Sequence, residues 1–277
     1  MTADSASGIP STRSWQALTT VEAARLAARD PVAVLPLAAV EQHGPHLPLS
    51  TDLDIGLGLL AAAFDRLPAD FPARALPPST VGASREHARF AGTISLEPEL
   101  LAEVIHAHGA ALAEAGVRRL VLSNSHGGNR PAADTAALRL RDELGLLVVT
   151  AHYFLLPRPA GADLPEAEWR HGLHGGALET ALMLHLRPDL VRTEAIGTAR
   201  SLGADLEGAL RRAAPGNDAA SIAWLAGDLH PSGVTGDASL ADAALGQTLL
   251  NGYAAALADV IRDAREFPLE RLADAGE

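Results

Sequence analysis

The 277-residue sequence contains no cysteine. The chain therefore forms neither a disulfide framework nor a thiolate zinc site, and any metal must be bound by histidine, aspartate or glutamate. Basic residues are also scarce, because 22 Lys and Arg stand against 34 Asp and Glu and the net charge is −12. Phosphate binding needs clustered Lys and Arg, so this balance argues against a nucleic-acid partner and against an anionic membrane surface.

Long hydrophobic runs are missing as well. No stretch approaches the roughly eighteen consecutive apolar residues of a membrane-spanning helix, and residues 1–8 lack the features of a secretory signal. We therefore expect a soluble, cytoplasmic protein without a membrane partner. The hydrophobic content of 48% is ample for a large core, and we predict a loose terminus over residues 1–12 and a single domain over residues 13–277.

Strand-like and helix-like segments alternate along the chain. Apolar residues at helical spacing predict helices over residues 14–29, 54–67, 97–116, 131–144, 175–186 and 239–265. Short apolar runs predict strands that begin at Val32 and that cover residues 74–81, 117–124 and 146–154. This alternation indicates an α/β fold, a three-layer α/β/α sandwich with a mostly parallel central sheet. Residues 158–169 are predicted to form a lid or an oligomer contact, and residues 193–226 show only weak periodicity.

Carboxylates and an imidazole follow the first predicted strand. The run from Val32 ends in Gly- and Pro-punctuated sequence that contains Glu41, His43 and Asp52, and α/β sheets place their ligand sites at the carboxyl ends of strands. Residues two apart in an extended segment face the same way, so Glu41 and His43 can address one site, and the loop can fold Asp52 back beside them. Such side chains are suitable ligands for a divalent metal. Alternatively, the two carboxylates only cap the following helix.

This segment is the first of five motifs. They are Glu41-Gln42-His43-Gly44-Pro45-His46-Leu47-Pro48 with Thr51-Asp52; Gly82-x-Ser84-x-Glu86-His87-x-x-Phe90-x-Gly92-Thr93; Asn124-x-His126-Gly127-Gly128-Asn129; His174-Gly175-Gly176-x-x-Glu179-Thr180; and Pro231-Ser232-Gly233-Val234-x-Gly236-Asp237. Together and in this order they resemble the creatininase family of metal-dependent amidohydrolases. The resemblance extends from about residue 30 to about residue 250. Five motifs in register are a specific signal, whereas any one alone would be modest.

The resemblance implies a divalent metal site, with two metals per subunit that could be zinc, manganese or iron. Glu41 and His126 would hold one metal and His43 the other, and Asp52 would bridge them. An all-nitrogen-and-oxygen site accepts each of these metals, so the sequence leaves the identity of the metal open.

One departure from the resemblance concerns the last metal ligand. Creatininase itself has a glutamate two residues after the third-motif histidine, where this chain has Gly128. Another carboxylate must then complete the site, and our candidate is Glu179, which we also count among the catalytic residues. If Glu179 only stabilises the start of its helix, the second metal is weakly bound or absent.

The resemblance also implies catalytic and substrate-binding residues. A histidine at the position of His174 carries a proton to the leaving nitrogen, because an amide anion leaves poorly. His174 could instead only pack against a loop, and His171 could then take its role. Ser84, Glu86 and His87 are candidate substrate-binding residues, although a structural loop that closes the pocket or contacts a neighbouring subunit explains them equally well.

Other polar residues are expected to support the site. A ligating histidine usually needs its second ring nitrogen held, and His46, Asn124 and Asn129 suit that role. Asp237 is expected to be an N-cap before the final helix. Trp224 and His230 are expected to form pocket walls.

These observations predict a metal-dependent hydrolase of an amide C–N bond, in a cyclic or linear small-molecule amide, that uses metal-activated water. Creatinine is a poor specific candidate, because the creatininase pocket has an aromatic residue where Gly127 stands. The alternatives are a short-peptide peptidase or formamide deformylase of the same family, a non-catalytic metal-binding scaffold, and a phosphoesterase that uses Arg85 or Arg89. The resemblance also implies a homo-oligomer, a ring-like hexamer.

Overall fold

The computed structural model describes residues 8–216 and 220–273. Its strands are β1 (Val32–Leu37), β2 (Ala73–Ala75), β3 (Arg119–Asn124), β4 (Leu147–His152), β5 (Thr198–Ala199) and β6 (Gly236–Asp237). Its α-helices are α1 (Thr20–Ala27), α2 (Thr51–Phe64), α3 (Pro98–Glu114), α4 (Arg130–Leu144), α5 (Glu166–His171), α6 (Ala177–Leu186), α7 (Leu202–Asp205), α8 (Ala226–Leu229) and α9 (Ala243–Glu266). The first four strands form a sheet in the order β2-β1-β3-β4, and β5 and β6 form a separate ribbon.

The four-stranded sheet is parallel throughout, whereas the β5-β6 ribbon is antiparallel. The register runs from Val32 opposite Arg119 to Leu37 opposite Asn124 in the β1-β3 pair. Because these strands end side by side, the segments that follow β1 and β3 leave the sheet at the same edge. That edge carries the candidate site.

Helices cover both faces of the sheet. Val32 and Val34 of β1 pack in a cluster with residues of α2 and α9. Leu35 and Leu37, which alternate with them, pack on the opposite face with residues of α3 and α4. All four side chains are fully buried, as expected for a parallel strand between two helical layers. The predicted three-layer α/β/α sandwich with a mostly parallel sheet is therefore confirmed.

The first helix begins later than predicted, at Thr20 instead of residue 14. Thr19 caps this helix, because its hydroxyl accepts the N–H of Glu22 at 3.3 Å and its own N–H donates to the Glu22 carboxylate at 2.8 Å. This reciprocal capping box satisfies two backbone donors at the helix start. The prediction of a start at residue 14 was wrong because apolar residues at helical spacing extend to the N-terminal side of Thr19, the residue that caps the helix.

Two further predicted boundaries were wrong. The second strand covers only Ala73–Ala75 instead of residues 74–81, since Pro77 and Pro78 lack the N–H that a sheet ladder requires. The last helix begins at Ala243 instead of residue 239, because the Asp242 side chain accepts the N–H of Leu245 at 2.7 Å. Asp237, expected before this helix as an N-cap, caps only the 3₁₀ turn Ala238–Leu240.

Helix α2 begins at Thr51, three residues before the predicted start at 54. Asp52 consequently lies in the first helical turn and not in the preceding loop. A carboxylate there interacts favourably with the positive end of the helix dipole. The helix, rather than a flexible loop, therefore holds Asp52 at the edge of the sheet.

The remaining predicted segments are short or partly outside the described residues. Residues 1–7 of the predicted loose terminus lie outside them, whereas Ile9 is buried in the core and Ser11–Arg13 form a 3₁₀ turn. In its described part, residues 193–216 and 220–226, the weakly periodic region contains only short elements such as β5 and α7. Among residues 8–216 and 220–273, every helix falls short of the length and hydropathy needed to cross a membrane.

Candidate active site

Polar side chains from four segments meet at the carboxyl edge of the sheet. Glu41 and His43 follow β1, His126 follows β3, Asp52 is in the first turn of α2, and Glu179 is in the first turn of α6. The first four are buried and Glu179 is partly buried. The structure thus brings together all five residues that the sequence predicts as metal ligands.

Glu41, Asp52 and His126 form one group of ligand atoms. Oε1 of Glu41 lies 3.2 Å from Nδ1 of His126, and Oδ2 of Asp52 lies 3.7 Å from the same nitrogen. One ligand atom from each residue falls within 4.8 Å of the others. This spacing allows a single cation to contact all three.

His43, His174 and Glu179 form a second group. Nε2 of His43 lies 3.8 Å from Oε2 of Glu179 and 3.6 Å from Oδ1 of Asp52. Asp52 therefore directs one carboxylate oxygen to each group. Oε2 of Glu179 also accepts the N–H of Gly175 at 2.6 Å, which fixes the carboxylate at the glycine-rich entrance to α6.

A third group contains Glu41, His87 and His174. Nε2 of His87 and Nδ1 of His174 each lie 3.6 Å from Oε1 of Glu41. The two imidazole rings stack with centroids 4.1 Å apart. The sequence predicted His87 only as a substrate-binding residue. The spacing of the motifs does not indicate that His87 lies close to Glu41.

Several atoms of the cluster are buried without a hydrogen-bond partner. They include both carboxylate oxygens of Glu41, Nε2 of His43 and Oδ2 of Asp52. Each such orphan costs about 1–3 kcal/mol, so a concentration of them at one point indicates that another group satisfies them. Carboxylate oxygens and imidazole nitrogens are together the preferred donors for divalent transition metals, and this donor set fits such a cation.

The electrostatics of the cluster also favour a cation. Burial alone would lower the pKa of His43, but Asp52 and Glu179 raise it to about 9. Burial would also lower the pKa of His126, but Glu41 and Asp52 raise it to about 10. Burial would raise the pKa of Glu41, yet His126 holds it well below its ordinary value. The carboxylates thus stabilise positive charge at the centre of the cluster.

The three candidate substrate-binding residues have different positions. Ser84 is fully buried, and its Oγ lies 3.3 Å from Nε2 of His126, so it faces this histidine and not the cleft above the cluster. Glu86 and His87 line the cleft. Oε1 of Glu86 lies 3.7 Å from Nε2 of His126, and burial raises the pKa of this carboxyl.

Of the two candidate proton carriers, His174 lies at the cluster. Its Nε2 donates to the backbone carbonyl oxygen of Gln42 at 2.6 Å, so Nδ1 is left facing Glu41. His171 does not line the cleft, and its Nε2 lies 3.5 Å from Glu207. A role of His171 as the proton carrier therefore has no geometric support.

The predicted supporting residues hold the loops of the site. The expectation that they hold the second ring nitrogen of a ligating histidine was wrong, because backbone carbonyl oxygens of Glu41 and Ala83 do so. Asn124 accepts the N–H of His126 at 3.2 Å and donates to its carbonyl at 2.7 Å. Asn129 accepts the N–H of Ala83 at 2.9 Å, which ties the second and third motifs together. His46 contacts the hydroxyl of Thr180 through Nε2 at 2.9 Å. These bonds fix backbone geometry around His126 and around the start of α6.

Glu168 is a buried carboxylate that the sequence motifs did not reveal as part of the site. Its Oε1 accepts the N–H of Ala177 at 2.7 Å, and its Oε2 accepts the N–H of Asp237 at 2.8 Å. It thereby joins the start of α6 to β6. Cβ atoms at the neighbouring glycines would lie against this carboxylate, at 2.5 Å for Gly176 and 2.6 Å for Gly236. Glycine at these motif positions was the available signal, because it marks a close approach.

The cluster forms the floor of a cleft with a volume of about 620 Å³. Arg85 lies outside it, since its side chain is 74% exposed and pairs with Glu97 at 2.8 Å. Among the described residues that line the cleft, Arg158 is the single arginine, and it pairs with Glu166. Trp224 is a wall residue as predicted, whereas His230 is not. The apolar walls are formed by Phe154, Leu155, Leu156, Leu164, Trp169, Leu173, Leu178, Ile222 and Trp224.

A parallel α/β/α sandwich with a buried carboxylate and imidazole cluster at its carboxyl edge is suited to metal-dependent hydrolysis. The Creatininase family model, described as creatinine amidohydrolase, matches residues 16–261. The chain belongs to the creatininase family and is a hydrolase of amide C–N bonds.

Individual relatives agree with this assignment. The mycofactocin precursor peptide peptidase of Mycolicibacterium smegmatis (strain ATCC 700084 / mc(2)155) is 32% identical over 237 residues, which cover 84% of this chain and 85% of that protein. Creatinine amidohydrolase of Pseudomonas putida is 33% identical over 184 residues, with coverages of 61% and 69%. A crystal structure of creatinine amidohydrolase has a TM-score of 0.72 at 28% identity and covers 92% of this chain and 98% of that one. A manganese form of creatininase has a TM-score of 0.71 at 26% identity, with coverages of 92% and 99%.

Proposed function

We propose that the cluster binds two divalent cations and that the cleft above it hydrolyses a linear amide, such as that of a short peptide. The observation that carries this proposal is that Glu41, His43 and Asp52 hold buried, unpartnered ligand atoms in two neighbouring groups, which Asp52 joins through its two carboxylate oxygens. Glu41, Asp52 and His126 would hold one cation. His43 and Glu179 would hold the other, with Asp52 shared because its two oxygens face the two groups.

The reaction requires a nucleophilic water, a stabilised carbonyl oxygen and a protonated leaving nitrogen. When bound, divalent cations supply Lewis acidity toward the carbonyl and lower the pKa of a water toward about 7. Nδ1 of His174 is free to accept a proton, since Nε2 donates to the Gln42 carbonyl. His174 takes a proton from the water as the C–O bond forms and delivers it to the nitrogen as the C–N bond breaks. The products are a carboxylic acid and an amine, and at neutral pH the proton of the acid passes to the amine, which gives a carboxylate and an ammonium group.

The cleft suits a substrate longer than a small cyclic amide. Gly127 stands directly after His126, and a Cβ built there meets no atom within 4 Å, so this side of the floor is open. Aromatic and aliphatic side chains such as Phe154, Trp169 and Trp224 form the walls, which favours a ligand with apolar groups. Relatives named as precursor peptide peptidases are consistent with a peptide. A small cyclic amide, as in the relative named creatinine amidohydrolase, is the second candidate.

The experiment is a metal-dependent hydrolysis assay. Protein stripped with a chelator is reloaded with zinc, manganese or iron, and hydrolysis of short apolar peptides, a formamide and creatinine is followed by mass spectrometry. We expect cleavage of at least one peptide that appears with the metal and disappears with the chelator. A protein that binds the metal but hydrolyses none of these substrates would favour the non-catalytic scaffold.

The same preparation distinguishes an amidohydrolase from a phosphoesterase. Hydrolysis of a phosphoester in place of amides would favour a phosphoesterase, which the exposed position of Arg85 argues against. A homohexamer and a cytoplasmic location stay predictions. Sedimentation of the reloaded protein and fractionation of the source cells test them.

A further inference from the structure

Gln42 lies in the sequence between Glu41 and His43, two of the proposed ligands. It contacts two of the four imidazoles in the cluster, which belong to His43, His87, His126 and His174. The backbone carbonyl oxygen of Gln42 accepts the Nε2–H of His174 at 2.6 Å, and its side-chain nitrogen lies 2.9 Å from Nδ1 of His87. The orientation of its amide group therefore decides what His87 presents to the cleft.

Backbone partners fix that orientation. The N–H of Gly44 can only donate, and it points at Oε1 of Gln42 at 2.9 Å. The carbonyl oxygen of Gly233 can only accept, and it lies 2.9 Å from Nε2 of Gln42. A Cβ at Gly233 would lie 2.5 Å from this amide nitrogen, so the glycine makes room for the amide. The side-chain NH₂ group therefore donates one hydrogen to Gly233 and the other to His87.

Nδ1 of His87 is consequently a hydrogen-bond acceptor. In a neutral imidazole one nitrogen accepts and the other carries the proton, so the proton of His87 is on Nε2. This nitrogen faces the cluster, 3.6 Å from Oε1 of Glu41. His87 thus presents an N–H to the floor of the cleft.

In the other three imidazoles the proton is on the outer ring nitrogen and the lone pair is on the nitrogen that faces the cluster. Each donates its outer N–H to a backbone carbonyl: Nδ1 of His43 to Glu41 at 3.2 Å, Nε2 of His126 to Ala83 at 2.9 Å, and Nε2 of His174 to Gln42 at 2.6 Å. Their lone pairs therefore face inward and are available to a cation or a proton. A protonated ring nitrogen cannot ligate a metal, so His87 is not a ligand despite its closeness to Glu41.

We propose that Nε2–H of His87 donates a hydrogen bond to the carbonyl oxygen of the substrate amide, and that Gln42 is the positioning residue that sets this tautomer. The inference rests on the proposed amide hydrolysis. As water adds to the carbonyl carbon, negative charge grows on this oxygen and the hydrogen bond strengthens. No proton leaves His87. The proton that crosses to the leaving nitrogen is carried by His174. The backbone carbonyl oxygen of Gln42 keeps the other proton of this imidazole on its outer nitrogen, Nε2, so that Nδ1 faces the cluster without a proton.

Two substitutions of His87 separate a donor from a structural role. H87L removes the N–H, and we expect kcat to fall about 10²–10³-fold, as for loss of an oxyanion donor. Metal content should not change, and KM should stay within about threefold because the bond strengthens mainly in the transition state. H87Q restores an N–H near the position of Nε2, and kcat should recover to within about tenfold of wild type. Equal activity of H87Q and H87L, or loss of bound metal in both, would overturn the proposal.

A spectroscopic measurement tests the tautomer directly. In metal-loaded protein labelled with ¹⁵N-histidine, the signal absent from H87Q should show a proton on Nε2 and none on Nδ1. Q42E replaces the donating NH₂ by an acceptor and should place a proton on Nδ1 of His87. Nδ1 protonation in active wild-type protein would overturn this inference alone. An inactive wild type would overturn the proposed function and with it the substrate contact.

Discussion

Asp52, at the start of α2, faces His43, with Oδ1 of the carboxylate 3.6 Å from Nε2 of the imidazole. The second oxygen, Oδ2, is turned away from this pair toward the group around Glu41. Because Asp52 lies in the first turn of a 14-residue helix, this orientation is fixed by regular secondary structure. One carboxylate thereby connects the two proposed cation positions.

Asp52→Asn is expected to weaken both positions at once, because an amide carries no charge and offers a single acceptor oxygen. Loss of a residue that only orients a ligand typically costs about 10–100-fold, so metal affinity and kcat/KM should each fall by at least about 100-fold. Asp65→Asn at the exposed end of the same helix is the matched control. Unchanged metal affinity in Asp52→Asn would rule out the shared-carboxylate arrangement.

Metal binding should strengthen as pH rises. The metal-free fold raises the pKa of His43 to about 9 and of His126 to about 10 from an ordinary value of 6.5, so both protons must leave before the nitrogens bind a cation. Below the lower pKa, affinity should rise about tenfold per pH unit for each proton displaced. Calorimetric titration in buffers of different ionisation enthalpy should detect protons released at pH 7, and an absence of release would contradict this account.

The same shifts predict how the metal-free protein responds to pH. Both histidines bind protons more tightly in the folded state than in the unfolded state, so their contribution to stability is present below about 6.5 and is lost as pH rises through 9 and then 10. Denaturant unfolding of the stripped protein across this range measures the loss. A stability that increases over the same interval would be inconsistent with the cluster described.

Glu168→Gln should destabilise the fold and displace the start of α6. Both carboxylate oxygens accept backbone N–H groups, and an amide NH₂ would face one of these donors. We expect a loss of about 1–3 kcal/mol in the free energy of unfolding. Glu166→Gln, at an exposed ion pair with Arg158, should change it by less than about 1 kcal/mol. Equal effects of the two variants would mean that Glu168 has no special structural role.

Adjacent glycines of the third motif should respond differently to alanine. A Cβ at Gly127 meets nothing within 4 Å, whereas one at Gly128 would contact the Ala83 carbonyl and lie 2.6 Å from Oε1 of Glu86. Gly127→Ala should leave stability within about 0.5 kcal/mol of wild type, and Gly128→Ala should cost about 1–3 kcal/mol. Thermal and denaturant unfolding measure both. Tolerance of alanine at residue 128 would show that this packing is not tight.

The position of Gly128, where the sequence departs from the creatininase motif, is crowded in this chain. A glutamate there would place its Cβ against Ala83 and Glu86, so the additional carboxylate cannot enter from this side. Glu179 reaches the second group from α6 instead, 3.8 Å from His43. The sequence predicted Glu179 as the carboxylate that replaces the missing glutamate, and its role as a metal ligand stays a prediction.

Other features were not predictable from the sequence. The tautomer of His87 depends on the contact of Gln42 with Gly233, which is 191 residues away. Glu168 lies in the short helix α5, which the sequence did not predict. The glycines at positions 176 and 236 indicate a close approach, but only the folded chain shows that Glu168 makes it, through the N–H groups of Ala177 and Asp237. Local spacing identified residues that follow strands, whereas contacts between distant segments decide which atoms face the centre.

Anomalous diffraction from crystals soaked in zinc or manganese tests the central claim most directly. We predict two peaks, one among Glu41, Asp52 and His126 and the other among His43, Asp52 and Glu179, and we predict that Glu41→Gln loses the first of them. Full occupancy of both positions in Glu41→Gln would contradict its role as a ligand. Absence of any peak between these side chains in wild-type crystals would contradict the metal-dependent account as a whole.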